Sequence, residues 1–369
     1  MKFIDPFRNS EAAYRLHQKI NSLALNLEQS FDSVRIMEVC GSHTMAIGRY
    51  GIRTVLPKNI ELISGPGCPV CVTDPGYIDA AIELAEKDVI VVTFGDMMKV
   101  PGSDSTLSRC RSEGVDISTC YSPDEALAIA KNNPDHEVVF LAIGFETTIG
   151  PGISLIDSCM RLGIDNLSLL TAFKLVPPAL HALASDPLIM IRAFLCPAHV
   201  SAIIGTEPYQ DIVESYNMSC VIAGFEPLDI LLGIFGILEQ LVKKECFVDN
   251  QYSRVVKPEG NVKARALMDK YLYPIDTAWR GIGIIPLSGL GIREEYQRFD
   301  AVIKHGLKIE QGEVNQKCKC GEILKGITKP PDCVLFGKGC TPEHPIGPCM
   351  VSAEGTCASY YKYVVMERV

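Results

Sequence analysis

The sequence has no excess of basic residues: 35 Lys and Arg stand against 44 Asp and Glu, a formal net charge of -9 over 369 residues. Nucleic-acid binders normally present a basic face to phosphates, so this balance argues against that class. Long apolar runs are also missing. The longest, such as Ile230 to Leu238, fall far short of the roughly 18 residues that a membrane span needs. The opening Met1-Lys2-Phe3-Ile4-Asp5-Pro6 lacks the apolar core of a secretory signal. These absences predict a cytoplasmic chain with no membrane partner, whose thiols stay reduced. Gly281, Gly283, Gly289 and Gly291 cluster without the spacing of a Walker A loop, and no G-x-G-x-x-G follows an early strand. Neither a nucleoside triphosphate site nor a dinucleotide site is expected. With 47% hydrophobic and 21% charged residues, the chain can bury a large core, which excludes global disorder.

What the chain does have is cysteine, fifteen in all, with six of them in residues 318–369. An odd number in a reducing compartment points to metal ligation or thiol chemistry and not to a disulfide framework. The first constellation is Glu38-Val39-Cys40-Gly41-Ser42-His43-Thr44 followed by Gly65-Pro66-Gly67-Cys68-Pro69-Val70-Cys71. Flanking glycines keep the backbone open, so another molecule is expected to reach the sulfurs. Cys68 and Cys71 suit a C-x-x-C redox pair. Cys40, His43, Cys68 and Cys71 equally suit a Cys₃His zinc set, and inert cysteines are the third reading. The second constellation is Cys318, Cys320, Cys333, Cys340, Cys349 and Cys357. Its gaps do not fit the paired knuckles of structural zinc modules. Four thiolates on loops rich in Pro and Gly suit a [4Fe–4S] cluster, with Cys318 and Cys320 left as a spare redox pair; zinc and plain structure are the alternatives. Cys110, Cys120, Cys159, Cys196, Cys220 and Cys246 are scattered singly and read as structural.

Between residues 33 and 245, continuous apolar runs alternate with helical segments. The runs Val34–Val39, Val89–Phe94, Val138–Ile143 and Cys220–Ala223 suit strands buried on both faces of a parallel sheet. Asp74-Pro75 and Ser122-Pro123-Asp124-Glu125 mark helix starts, and residues 9–30 carry the period of an amphipathic helix. The fold class is α/β. Strand ends at Gly95-Asp96, Gly144-Phe145-Glu146 and Gly224-Phe225-Glu226 suggest two similar parallel-sheet α/β domains, 33–120 and 121–245. Residues 1–32 and 246–369 then form a third, smaller, Cys-rich domain. Asp96, Glu146 and Glu226 would lie beyond the carboxyl ends of the strands, where functional groups gather in open sheets. His199 and Thr148 are further candidates there.

These segments resemble one family closely, the HypD proteins of [NiFe]-hydrogenase maturation. The match runs through Met37–Thr44, Gly65–Cys71, Phe94–Met98, Gly144–Thr148, Gly224–Pro227 and Gly347–Cys357. It departs at Cys196-Pro197-Ala198-His199, where the family pattern has Gly in place of Ala198, which questions a positive φ at that position. The resemblance implies two α/β domains around a cleft and a third domain carrying a [4Fe–4S] cluster. It implies a scaffold on which the Fe(CN)₂CO fragment is assembled with the chaperone HypC and the cyanide donor HypE. Cys40 would hold the iron, and His43 would orient a ligand or relay a proton. Cys68 and Cys71 would supply two electrons as a thiocarbamate-derived ligand becomes cyanide on iron. Cys333, Cys340, Cys349 and Cys357 would bind the cluster. An iron–sulfur-dependent thiol–disulfide oxidoreductase and a zinc-stabilised binding module are the competing functions; the first needs only the C-x-x-C and leaves Cys40-Gly41-Ser42-His43 unexplained.

Overall fold

The apolar runs become fully buried strands because helices cover both faces of each sheet. Nine strands, Val34–Glu38 (β1), Ile60–Ser64 (β2), Ile90–Phe94 (β3), Ile117–Cys120 (β4), Val138–Gly144 (β5), Leu167–Phe173 (β6), Ala193–Pro197 (β7), Ser219–Ala223 (β8) and Val248–Asn250 (β9), form two parallel sheets. An antiparallel pair, Leu272–Trp279 (β10) and Gly283–Ile292 (β11), follows. The computed structural model describes residues 5–365. One sheet runs β2-β1-β7-β8-β9 and the other β4-β3-β5-β6. Counted in chain order within each sheet, both begin second, first, third, fourth. The two sheets share this strand order.

The expected boundaries do not hold. A division at residue 120 would put β1 to β4 in one sheet, but β3 and β4 pair with β5 and not with β1 or β2. The four-stranded sheet is built wholly from residues 90–173, an insertion between β2 and β7 of the larger one. Among the described residues, those of 1–32 and 246–369 fall in different apolar clusters. The helix Ser10–Leu27 buries Leu16, Ile20, Ala24 and Leu27 on one face of the larger sheet, against the helix Pro227–Lys243. The C-terminal cysteines pack on the opposite face, with Met37, Ile63, Phe194 and Ile222, and β9 extends the sheet itself.

Helix starts follow the sequence signals. Asn9 accepts from Ala12 N–H, Asp74 from Gly76 N–H, and Ser122 with Glu125 forms the reciprocal capping box. Ala198 opens the helix Ala198–Ile204 and is not among the residues with positive φ, so Gly is not required there. Among the described residues no helix is long and apolar enough to cross a membrane.

Each sheet has one switch point, between β1 and β7 in the larger and between β3 and β5 in the smaller. There the chain turns to opposite sides, and the loops beyond the carboxyl ends leave a crevice. Cys40 follows β1 at the larger switch point and His199 follows β7. Cys68 follows β2, and Phe225 follows β8.

Candidate functional site

Cys40 is built into its place by a buried carboxylate below it. Thr44 N–H donates to Cys40 O at 3.0 Å, and Thr44 Oγ1 donates to Glu38 at 2.8 Å. Ser64 Oγ donates to the same carboxylate at 2.6 Å, with Arg53 3.4 Å away. Burial pushes the Glu38 carboxyl up to about 7 against these partners. The C-x-x-C segment then closes on Cys40 through backbone contact. Gly41 N–H donates to Gly67 O at 3.0 Å, and a Cβ on Gly67 would lie 2.5 Å from the Cys40 carbonyl carbon. Only glycine fits. The glycines thus serve close packing, and they do not leave the sulfurs open: Cys40, Cys68 and Cys71 are 7%, 4% and 1% exposed.

Cys40 caps the helix Gly41–Arg49. Burial, with the nearby Glu354 charge, pushes its thiol up to about 12, although the backbone N–H groups of His43 and Ser42 favour the thiolate. Ser42 Oγ donates to Glu354 at 2.7 Å. Glu354 was absent from the sequence-based candidates because the carboxylates among them came from strand ends alone; its place inside the matched segment Gly347–Cys357 was the available signal.

His43 is not a loop histidine. It lies in the helix, fully buried, with Nε2 at 2.9 Å from Gly224 O and 3.0 Å from Ala223 O. Two carbonyls around Nε2 require the proton there, leaving Nδ1 as an acceptor. Nδ1 is buried and without a partner. Burial lowers the imidazole pKa to about 4, so His43 is neutral at physiological pH. The Phe225 ring lies between the rings of His43 and His199, at 4.8 and 4.2 Å. Thr148 lies apart, exposed after β5, with its hydroxyl on Phe145 O.

The two cysteine sets, far apart in sequence, meet. Cys71 Sγ donates to Pro348 O at 3.8 Å, and the neighbouring thiols of Cys349 and Cys68, with burial, hold its proton on. The neighbouring thiols of Cys320 and Cys71 hold the Cys349 thiol below the usual range, at about 6, against its burial. Cys320 also neighbours Cys318 and Cys357, whose thiols are pushed up by its proximity and by burial. A path of thiols therefore runs Cys68–Cys71–Cys349–Cys320. The segment 347–357 that carries Cys349 is pinned at both sheets, by Ser42 on Glu354 and by Ser352 Oγ donating to Asp96 at 2.9 Å.

Five thiols, Cys318, Cys320, Cys333, Cys340 and Cys357, line one cavity. Cys349 is not among its lining residues and neighbours both Cys320 and Cys71. The cavity is closed on one side by Gly347, where a Cβ would lie 2.5 Å from Cys320 Sγ and 2.6 Å from Cys318 Sγ. Among the described residues no group of three or more His, Cys, Asp or Glu side chains is arranged to hold a single metal ion. This bears on a zinc set at Cys40, His43, Cys68 and Cys71; a sulfide-bridged cluster separates its thiolates more widely than one ion does. The thiol donors and the missing Cβ at Gly347 fit such a cluster.

The strand-end carboxylates have separate duties. Glu226 caps the helix Pro227–Lys243 and pairs with Arg8 at 2.5 Å. Asp96 holds Ser352. Glu146 is buried, accepts from Val176 N–H at 2.8 Å, and keeps Oε2 without a partner. Burial raises its pKa from 4.5 to about 7. The folded chain therefore binds a proton through this window that the unfolded chain has released, so stability falls as pH rises from about 5 to 7. Glu146→Gln is expected to remove about 3 kcal/mol of that fall, measured by urea unfolding across the window; an unchanged slope would refute it. Of the remaining cysteines, Cys196 and Cys220 lie on adjacent strands, with Cys196 Sγ donating to Phe194 O at 4.0 Å, while Cys110, Cys120 and Cys159 are buried.

The HypD family model, described as "Hydrogenase formation hypA family", matches residues 11–364. The "Hydrogenase expression/formation protein HupD" of Azotobacter chroococcum mcd 1 is 44% identical over 371 residues, covering 98% of this chain and 97% of that protein. The "Hydrogenase maturation factor HypD" of Azotobacter vinelandii is also 44% identical, with the same coverage. That of Escherichia coli K12 is 40% identical over 366 residues, covering 98% of both chains. Family match and relatives both span almost the whole chain, including the Cys40 loop, the C-x-x-C and the C-terminal cysteines: the chain belongs to the HypD family of hydrogenase maturation factors.

Proposed function

We propose that this chain is a cytoplasmic scaffold on which the Fe(CN)₂CO fragment is assembled with HypC and HypE. The observation that carries this reading is the thiol path from the C-x-x-C beside Cys40 to the cysteine-lined cavity. Cys40 holds the iron cargo, together with a thiolate from HypC; low-spin iron bearing cyanide and CO is soft and suits thiolate. Cys40 is a thiol in the free chain, so binding releases its proton, and Glu354, whose charge faces Cys40, is placed to take it. His43 acts as a neutral acceptor through Nδ1 and not as an imidazolium acid.

Cleavage of an S–C≡N bond to thiolate and cyanide consumes two electrons. The Cys68/Cys71 dithiol supplies them and becomes a disulfide. The Cys349 thiolate then attacks Cys71 Sγ, forming a Cys71–Cys349 disulfide and releasing the Cys68 thiolate. Cys320 attacks Cys349 Sγ, releases the Cys71 thiolate, and leaves a Cys320–Cys349 disulfide. Two electrons have moved and every sulfur is accounted for. Cys318, Cys333, Cys340 and Cys357 would hold the [4Fe–4S] cluster, which supplies electrons singly when bound. In this set Cys318 replaces Cys349 of the sequence-based set.

Infrared spectroscopy with iron analysis on the complex co-purified with HypC tests the assignment. Cyanide and carbonyl bands on protein-bound iron are the expected result. A complex that reduces protein disulfides but shows no such bands would favour the thiol–disulfide oxidoreductase instead.

A further inference from the structure

The larger sheet carries Cys40 beyond its carboxyl end, and the smaller sheet has a cavity of its own at the corresponding place. Glu146 follows β5 at the smaller switch point, Leu175 follows β6, and both line a cavity of about 350 Å³. That volume suits a small organic molecule. Its apolar walls come from segments far apart in sequence: Pro177 and Pro178 in the first turn of the helix Val176–Ser185, Met268 on the helix Val262–Tyr271, and Leu290 on β11. The buried polar side chain among them is Glu146, 2% exposed; its Oε1 accepts from Val176 N–H at 2.8 Å, and its Oε2 has no partner. A buried oxygen left without a hydrogen bond is costly, and a ligand that bonds it removes the cost. Arg265 and Asp269, one turn apart on the helix Val262–Tyr271, and Arg293, just after β11, also line the cavity. Arg265 Nη1 donates to Glu259 O at 3.2 Å, and Arg293 Nε donates to Asp269 O at 3.0 Å. These backbone bonds orient both guanidiniums, and among the described residues neither forms an ion pair. Asp269 offsets one of the two positive charges, so the lining favours a ligand with one negative charge over one with two.

We propose that this cavity binds a small organic monocarboxylate with a hydroxyl at its far end: the carboxylate meets Arg265 and Arg293, the apolar body lies against the proline and aliphatic walls, and the hydroxyl bonds Glu146 Oε2. A guanidinium takes a carboxylate through two parallel N–H bonds. A hydroxyl suits Glu146 in either protonation state, because it donates to a carboxylate and accepts from a carboxyl. No residue of this site lines the cysteine cavity, so the site stands apart from the thiol relay and its binding involves no redox step.

The full chain, with its iron retained, is titrated anaerobically with 4-hydroxyphenylacetate and followed by ligand-detected NMR. A dissociation constant on the order of 1 mM is expected for a probe of so few atoms. The uncharged analogue 4-hydroxyphenylacetamide is expected to bind about fivefold more weakly, and Arg265→Gln is expected to erase that difference. Phenylacetate, which lacks the hydroxyl, is expected to bind about tenfold more weakly, and Glu146→Leu is expected to erase that one. No detectable binding of 4-hydroxyphenylacetate at about ten times the expected constant overturns the proposal. Survival of either preference in its folded variant overturns it as well, since the probe would then be held elsewhere. Should Glu146→Leu not fold, Met268→Trp, which fills the cavity and keeps both arginines, is expected to abolish binding; unchanged binding there also overturns the proposal.

Discussion

Cys40→Ala is expected to abolish the cyanide and carbonyl infrared bands of the complex purified with HypC, while the iron–sulfur absorbance stays unchanged. The two readouts separate because the place proposed for the iron cargo differs from the place proposed for the cluster. Cys40 ends the loop after β1 and faces Ser42, His43 and Glu354; the cavity is lined by other sulfurs. Alanine keeps the β-carbon, so the contact of Gly67 with the Cys40 backbone and the Glu38–Thr44 bonds beneath it survive. Loss of one buried sulfur costs about 1 kcal/mol of stability, a typical single-substitution effect. Bands that persist at full intensity would remove Cys40 as the anchor, and simultaneous loss of the iron–sulfur absorbance would mean that the two centres are not independent.

Local signals were legible where one segment carries the whole message. The runs at β1, β3, β5 and β8 read as strands because burial on both faces leaves no polar alternation, and Asp74 and Ser122 read as caps because a side-chain oxygen and a following proline define the first turn. Pairing between distant segments was not legible. Ile36 pairs with Ala193 across the inserted sheet, and nothing in either short run names its neighbour. The same limit applied at the site. Cys40, Cys68 and Cys71 stood out by residue type and by glycine spacing, but burial under the segment 347–357 is a tertiary fact. The glycines were read as openness, and they serve contact. His43 was recognised as a candidate, but its neutral state and free Nδ1 depend on the carbonyls of residues 223 and 224, which reach it only through the β8 loop.

The cysteine spacing at the C-terminus gave the least reliable assignment, and a pair of substitutions decides it. Cys340→Ser is expected to strip most of the iron and sulfide, about four of each per chain, since serine is a poor replacement for a thiolate on iron. Cys340 Sγ lines the cavity and accepts from Ile346 N–H at 3.3 Å. Cys349→Ser is expected to retain iron and sulfide, yet to leave the Cys68–Cys71 disulfide unable to pass its oxidation onward, so that no disulfide to Cys320 forms on alkylation mapping. The difference follows from position. In linear order Cys349 stands third of the four that follow Cys320, the set the resemblance implied as ligands. In the fold it is not among the residues lining the cavity, and it neighbours Cys320 and Cys71, whose thiols lower its pKa, as suits a nucleophile between two thiols. If Cys349→Ser loses its iron as fully as Cys340→Ser, then Cys333, Cys340, Cys349 and Cys357 are the ligands after all. The thiol path would then end at Cys71, and electrons would have to reach the C-x-x-C without a second cysteine pair.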